Sequence, residues 1–544
     1  MAKLLLQNGF RTWSADDTAQ SVGKQAVGGR PGSTLIFALY QPHQTRKKAC
    51  FIIYQFIQTA PMALGLRHLL HVLLLLVLIA ALAAAITKGQ LLAIVALLGL
   101  PLAIAYLVWI FKVPVVGLYS VLVVSFVAIG LTRYISAPLG LAVDALLVLT
   151  LGAEFFYRFD TRQWPMLRRN PVLIAIGIWV VYCLIEVVNP EARSMTAWFY
   201  AIRGVALYLV LTVLLVMEQM NHEKHLNRFI TIWFGWSCIA ALYGTKQFIW
   251  GVDAAEQAWL NAGNASTHLL QGRLRVFSFY SDAGQFGAAM AHAGLASLVM
   301  SLGAFPLKKR AFYIVTCLLC FYAMLISGTR GALFVPLSGF AVYLLMARNF
   351  RLLVVGGLAA FLLFGMLKFT YIGQSNYQVQ RMRSALDPNE PSLMVRLENQ
   401  KKLATYLASR PLGGGIGSAG YWGLKFSPNT VLAQTPTDSW YVKIWAETGI
   451  IGLILHLGMI LFFLFYFFKK LWAMPSTLQR QQLLGLYAGL TGIAVASYGN
   501  QVLGQIPTGT ILYMSIGFLY LFTRNRHDQS LQEQKIPLNK HTLY

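Results

Sequence analysis

Long apolar runs recur along this chain at about the length that spans a bilayer, and that repeated length constrains the fold more than any single motif. "LILHLGMILFFLFYFF" is a clear example. A helix needs about 20 apolar residues to cross the hydrocarbon core. Scanning on that criterion predicts about 14 spans. They centre near Leu78, Leu100, Leu122, Leu147, Val180, Leu207, Cys238, Ala291, Cys317, Leu337, Ala360, Leu457, Gly492 and Ile516. Those around Leu122 and Leu147 meet it least well. Only 12% of the 544 residues are charged, against about 25% in soluble domains. The expected fold is all-α: a polytopic integral membrane protein of about 12–14 transmembrane helices with a large external loop.

A net charge of +25 would suit a nucleic-acid binder. Here the Lys and Arg residues are scattered through short loops between apolar runs, so most of the excess is a positive-inside signature and no nucleic-acid partner is expected. With the N-terminus inside, "YRFDTRQWPMLRRN", "PLKKR", "RNFR" and "KKLWAMPSTLQRQ" all fall on the cytoplasmic side. The opposite orientation inverts the rule at almost every short loop. The first strongly apolar run begins near Leu69, too late for a cleavable leader. Residues 1–66 read as a cytoplasmic or interfacial segment around "RKK". The membrane domain follows at 67–370, a large outer loop at 371–437, the last helices at 438–523 and a cytoplasmic tail at 524–544. Five cysteines provide no disulfide framework, and the C-x-x-C of Cys317 and Cys320 lies inside a membrane helix, where packing explains it.

Both long connections, Gly251–Phe277 and Tyr371–Thr437, fall outside on this topology, and loops of such length are usually functional or disordered. The second is basic, with Arg381, Arg383, Arg396, Lys401, Lys402, Arg410 and Lys425. Outer loops are normally poor in positive charge, so an anionic ligand is expected. The loop contains an amphipathic helix, "PSLMVRLENQKKLATYLAS". At about 100° per residue, Leu393, Arg396, Gln400, Leu403 and Leu407 share the face turned to the membrane domain, and Glu398, Lys401, Lys402, Thr405 and Ser409 the other. Arg396 then either binds an anion or is a snorkelling or salt-bridged arginine. Arg203, roughly five residues inside a span, is costlier to bury and marks a site facing the bundle interior. Arg273 and Arg275 precede the eighth span, with Asp282 and Gln285 in its first turns; Arg330 follows another span in "ISGTRGALF". Guanidinium groups converging at the outer leaflet suit a phosphate or diphosphate.

"RPLGGGIGSAG" contains G-x-G-x-x-G at Gly415, Gly417 and Gly420. No strand precedes it and no G-K-[ST] is present, so it reads as a turn closing the loop against the membrane, with glycine amides able to help cradle a phosphate. Asp438 stands at the lip of the next span, and Lys443 and Glu447 inside it. Asp438 could cap that helix, since Asp is a favoured N-cap residue; the other reading is catalytic. No metal site or G-x-S-x-G nucleophile emerges, and no cofactor is expected.

Four stretches, "RVFSFYSDAGQFGAAMA", "ISGTRGALFVPL", "RLENQKKLATYLASRPLGGGIGSAGY" and "TDSWYVKIWAETGIIGLI", together resemble the O-antigen ligase and O-antigen polymerase superfamily over about Phe199–Phe468. These are membrane glycosyltransferases of the bacterial inner membrane, acting at its periplasmic face on undecaprenyl diphosphate-linked glycans. The resemblance implies diphosphate contacts from Arg203 and from Arg273 or Arg275, with Arg396 as the loop-helix arginine. It implies that Asp438 occupies the place, nine residues before Glu447, where the ligases carry a proposed basic histidine. Asp there fits the polymerase branch better. Asp438 would accept a proton from an attacking sugar hydroxyl while arginines stabilise the departing diphosphate, inverting the anomeric centre without a metal. Glu447 is given a structural role with Lys443. The acceptor, whether glycan, lipid A core or protein, stays open, as does the different class of lipid-linked oligosaccharide flippase. A chain-length regulator is expected from the pathway, not from a motif.

Overall fold

The computed structural model describes residues 91–135, 137–158, 170–270 and 272–524. The segment 1–66, the span near Leu78, most of the "YRFDTRQWPMLRRN" loop and all but the first residue of the 524–544 tail lie outside them. Contacts divide the chain into two units, 1–100 and 101–544. Of the first unit only the opening turns of α1 (Leu91–Lys112) are described. The second unit carries every other described element.

The protein is an all-α polytopic membrane protein. Every candidate span from Leu100 onward is a helix. Five are long and apolar enough to cross a membrane outright: residues 171–188, 195–219, 307–326, 350–369 and 440–473. In chain order the second unit continues as α2 (Val115–Leu131), α3 (Leu141–Arg158), α4 (Pro171–Ile185), α5 (Met195–Gln219) and α6 (Glu223–Trp250). The connection after α6 is structured, with α7 (Ala254–Trp259) and a two-stranded antiparallel hairpin, β1 (Leu269–Leu270) and β2 (Arg273–Leu274). Next come α8 (Ala283–Ser301), α9 (Leu307–Ile326), α10 (Arg330–Met346) and α11 (Phe350–Phe369).

Small residues decide which helix lies at the centre. α8 is rich in Ala and Gly, and almost all of it is buried, between α9 and α17 (Leu478–Ala496) among others. Without a hydrophobic drive between helices in lipid, close backbone approach supplies the packing. Gly339 of α10 shows how close: a Cβ there would lie 2.4 Å from the Ala488 carbonyl oxygen of α17. α11, by contrast, buries little of its surface.

The large loop holds α12 (Tyr377–Ser384), α13 (Pro391–Leu407), α14 (Gly420–Phe426) and α15 (Val431–Gln434). Sequence reasoning expected α13 alone. Pro391 occupies the first turn of α13, and the Glu390 carboxylate caps it by accepting from the Leu393 amide at 3.0 Å. Leu403 and Leu407 are buried against Ala446, while Glu398 pairs with Lys402 on the outer face, as the helical period requires.

α16 (Trp440–Ala473) is 34 residues long. At 1.5 Å per residue it would measure about 51 Å, well beyond a hydrocarbon core of about 30 Å. Gly449 breaks it, with φ 65° and ψ −168°. The charges that looked misplaced inside a span therefore sit on a short leading segment, Trp440–Thr448, and the apolar remainder does the crossing. α18 (Thr508–Thr523) closes the bundle.

Candidate active site

Asp438 follows α15 and stands two residues before α16. It does not cap that helix. Ser439 is the N-cap, its hydroxyl oxygen facing the Val442 amide at 3.4 Å. The Asp438 carboxylate is left about half exposed and accepts from Arg396 Nε of α13 at 3.2 Å. Its flanks are fixed to the strap between α17 and α18: the Trp440 amide donates to the Ser497 carbonyl at 3.0 Å, and Gln501 Nε2 donates to the Thr437 carbonyl. Gln285 and Ser281 hold the same strap, the Ser281 hydroxyl donating to Gln505 Oε1 at 3.2 Å. Asp282 caps α8, and Gln285 Nε2 donates to the Gln501 carbonyl at 2.8 Å.

Arg396 opens onto a cavity of about 610 Å³ whose walls also carry Arg275, Arg330, Arg381 and Asn500. Arg275 is held by the Thr267 carbonyl and the Thr329 hydroxyl, at 3.1 and 3.2 Å. Burial, and then the neighbouring Arg381 guanidinium, push Arg275 down to about 10. Burial and then Arg330 lower Arg381. Nε of both Arg275 and Arg381 is buried and unpartnered. Arg330 forms an ion pair with Glu390. Burial alone would raise the Glu390 carboxyl, but hydrogen bonds from Ser392 and Arg330 and the Arg330 charge prevail and hold it down to about 2. Arg275 and Arg381, both held below the ordinary guanidinium range and each with an unpartnered Nε–H, stand in a cavity whose positive charge is only partly compensated, which suits a multivalent anion.

The expected arginines do not all meet. Arg275, Arg330 and Arg396 share the cavity. Arg273 does not: its guanidinium lies 4.9 Å over the Tyr377 ring and lines a separate recess. Arg203 does not either. It sits at a π turn in α5, pairs with Asp144 of α3 and donates through Nε to the Tyr200 carbonyl at 3.1 Å. It lines a second cavity of about 660 Å³, with Lys425 of α14 and Lys443 of α16. Arg381, by contrast, was counted in the loop's basic excess but not singled out. α12 brings it in, and neither periodicity nor spacing signals that helix's docking.

The glycine loop faces neither cavity. Gly413–Gly417 are buried. Gly413 and Gly449 meet backbone to backbone, and a Cβ on Gly449 would fall 2.0 Å from the Pro411 carbonyl oxygen. The fully buried Glu447 carboxylate lies toward the Gly417 and Ala419 amides, though neither oxygen closes a hydrogen bond of standard geometry. Those amides turn to Glu447 rather than to either cavity, and the loop packs as a turn against the membrane domain. Nor do Lys443 and Glu447 form an ion pair; the Lys443 ammonium extends over the Trp440 ring at 5.6 Å. Among the described residues, no group of three or more His, Cys, Asp or Glu could hold a metal.

Fold and site together define a multi-pass helical membrane protein with an arginine-walled cavity beside a half-exposed carboxylate. Residues 315–457, about a quarter of the chain, match the model of the O-antigen ligase family, which supports the resemblance to the O-antigen ligase and polymerase superfamily. The matched segment contains Arg330, Arg381, Arg396, Asp438 and Glu447; Arg203, Arg273 and Arg275 lie outside it. No curated protein matches the chain. The family supports a glycosyltransferase-type membrane enzyme acting between a lipid-linked glycan and an acceptor.

Proposed function

We propose that the protein transfers or polymerises glycan from an undecaprenyl diphosphate-linked donor at the outer face of the bacterial inner membrane. The observation that carries this reading is Asp438 beside Arg396, where Arg396 opens onto the cavity walled by Arg275, Arg330 and Arg381. The diphosphate lies against those arginines. Asp438 takes the proton of an acceptor hydroxyl as its oxygen bonds to the anomeric carbon, and the carbon–oxygen bond to phosphate breaks with its electron pair leaving on the diphosphate. Attack opposite the leaving group inverts the centre. The Asp438–Arg396 pair is partly solvated, and such pairs contribute only about 0.2–1 kcal/mol, so substrate can part it at little cost.

The test is turnover of purified protein on a defined polyprenyl diphosphate-linked glycan, with products resolved as longer glycan, glycolipid or glycoprotein. Asp438→Asn should lower turnover by roughly 10²–10⁴-fold with donor affinity little changed. Ser439→Ala removes the true cap, costs about 1 kcal/mol of stability and should leave most activity. Wild-type turnover in Asp438→Asn would remove the base; movement of intact donor across the bilayer without transfer would favour a flippase.

A further inference from the structure

The strap between α17 and α18 carries an amide with no role in the chemistry above. Asn500 lines the arginine cavity, and its Nδ2 is buried without a hydrogen-bond acceptor among the described residues. The carboxylates around that cavity are engaged. Glu390 accepts from Arg330, Ser392 and the Leu393 amide, Asp387 from the Asn389 amide, and Asp438 from Arg396. The guanidinium groups of Arg275, Arg330 and Arg381, which share the walls, can only donate. A buried N–H left without a partner is costly, so the acceptor this amide calls for is an oxygen of the ligand. Gly331, next to Arg330, makes room for it: a Cβ there would run into Nδ2. On the other side a Cβ on Gly284, in the first turn of α8, would lie 3.7 Å from Oδ1. The amide is thus seated between two stretches far apart in sequence.

Residues on either side of Asn500 along the strap grip the flanks of Asp438: Ser497 through the Trp440 amide and Gln501 through the Thr437 carbonyl. Asn500 therefore stands where the arginine cavity meets the carboxylate. With the diphosphate on the arginines and the acceptor's proton taken at Asp438, the group between them is the first sugar of the donor. As the anomeric carbon reacts, its ring oxygen loses electron density and becomes a poor acceptor. The substituent on carbon 2 keeps its oxygen, and hydrogen bonds there strengthen in the transition state. We infer that Asn500 is a specificity-determining residue, donating through Nδ2 to the oxygen borne at carbon 2 of the donor's first sugar, a hydroxyl or an N-acyl carbonyl. This rests on the glycosyl-transfer reading and adds a sugar contact to it. Asn500 lies outside the segment that matches the family model, and neither charge nor periodicity marks it in the sequence.

The experiment offers purified full-length protein a set of polyprenyl diphosphate-linked donors that differ only at carbon 2 of the first sugar, which bears a hydroxyl, an acetamido group or hydrogen. Asn500→Ala removes the amide. Asn500→Asp keeps its shape and replaces the N–H with an acceptor, and its added charge acts on every donor alike. In each variant kcat/KM should fall about tenfold further with the donor that carries the recognised oxygen than with the 2-deoxy donor, the worth of one hydrogen bond made in the reacting complex. Comparing variant with wild type on the same donor cancels the intrinsic reactivity of the 2-deoxy sugar. Whichever donor, hydroxyl or acetamido, shows the excess loss identifies the substituent. Farnesyl diphosphate, which has no sugar, should bind Asn500→Ala as tightly as wild type. Equal losses on every donor would make the amide a packing group, and weakened farnesyl diphosphate binding would assign it to the phosphate; either result overturns the sugar contact and leaves the donor reading standing. No transfer by wild type from any of these donors overturns the donor reading itself.

Discussion

At the scale of single residues, charge type was readable and charge pairing was not. Arg203 is expected to be costly inside a span, and its partner, Asp144, lies 59 residues away on another helix, where no spacing rule connects them. The choice between Arg273 and Arg275 was likewise undecidable from a two-residue separation: only Arg275 reaches the cavity, and Arg273 turns to the Tyr377 ring. Glu390 had two roles at once, capping α13 and neutralising Arg330. Its depressed carboxyl gives a pH signature. A group held near 2 in the fold against about 4.5 when unfolded binds its proton more weakly in the native state. The stability it contributes is therefore complete above about pH 4.5 and lost as pH falls toward 2. Glu390→Gln keeps an oxygen for the cap and removes the charge. Thermal unfolding of detergent-solubilised protein between pH 5 and 2.5 should show a steeper loss in wild type than in Glu390→Gln; parallel curves would mean that the Arg330 pair does not stabilise the fold.

At the scale of elements, the helices were legible because hydrophobic run length and helical period are local properties, and the face of α13 that buries Leu403 and Leu407 follows from period alone. The break at Gly449 was not. A lone glycine in an apolar helix signals a helix–helix contact as readily as a kink, and the cause here is remote: Pro411 and Gly413 press on it from the far end of the large loop. The G-x-G-x-x-G spelling is thus a packing device. A Cβ on Gly415 or Gly417 would run into Ala192 or Ala197, while Gly413, just ahead of the motif, lies against the α16 kink, which positions the segment that begins at Asp438. An alanine at 449 would need φ near +65° with ψ near −168°, a region nearly confined to glycine, costing about 1–3 kcal/mol, and would also drive its Cβ into backbone that cannot swing aside. Gly449→Ala should lower the unfolding temperature and reduce turnover together. Gly458→Ala, on the same helix with nothing within 4 Å of the added Cβ, should do neither and could gain up to about 1 kcal/mol in helix propensity. Equal behaviour of the two variants would show that the kink is not required.

At the scale of the whole molecule, sidedness decides whether a glycan carried on the outer leaflet can reach Asp438. The cavities, the structured connection after α6, the large loop and the strap all gather at one end of the bundle, because Arg275, Thr329, Arg381, Arg396, Asp438 and Asn500 are joined there by contacts or shared walls. The α16–α17 connection, with Ser476, is at the opposite end of both helices. Distribution of Lys and Arg predicts that the first end lies outside. That bias is statistical over loops and the basic large loop runs against it, whereas thiol accessibility reads the side directly. Ser392 and Ser476 are both exposed, which makes accessibility of a cysteine at either position a matter of side rather than burial. Native Cys183, Cys317 and Cys320 are buried and Cys238 partly so; Cys50, outside the described residues, is replaced by Ser to clear the background. In intact spheroplasts an impermeant maleimide should label Ser392→Cys and spare Ser476→Cys, and permeabilisation should expose both. Labelling of Ser476→Cys alone would put the arginine cavity in the cytoplasm. A nucleotide-activated donor would then replace the lipid-linked one, and the proposed transfer would fail with its topology.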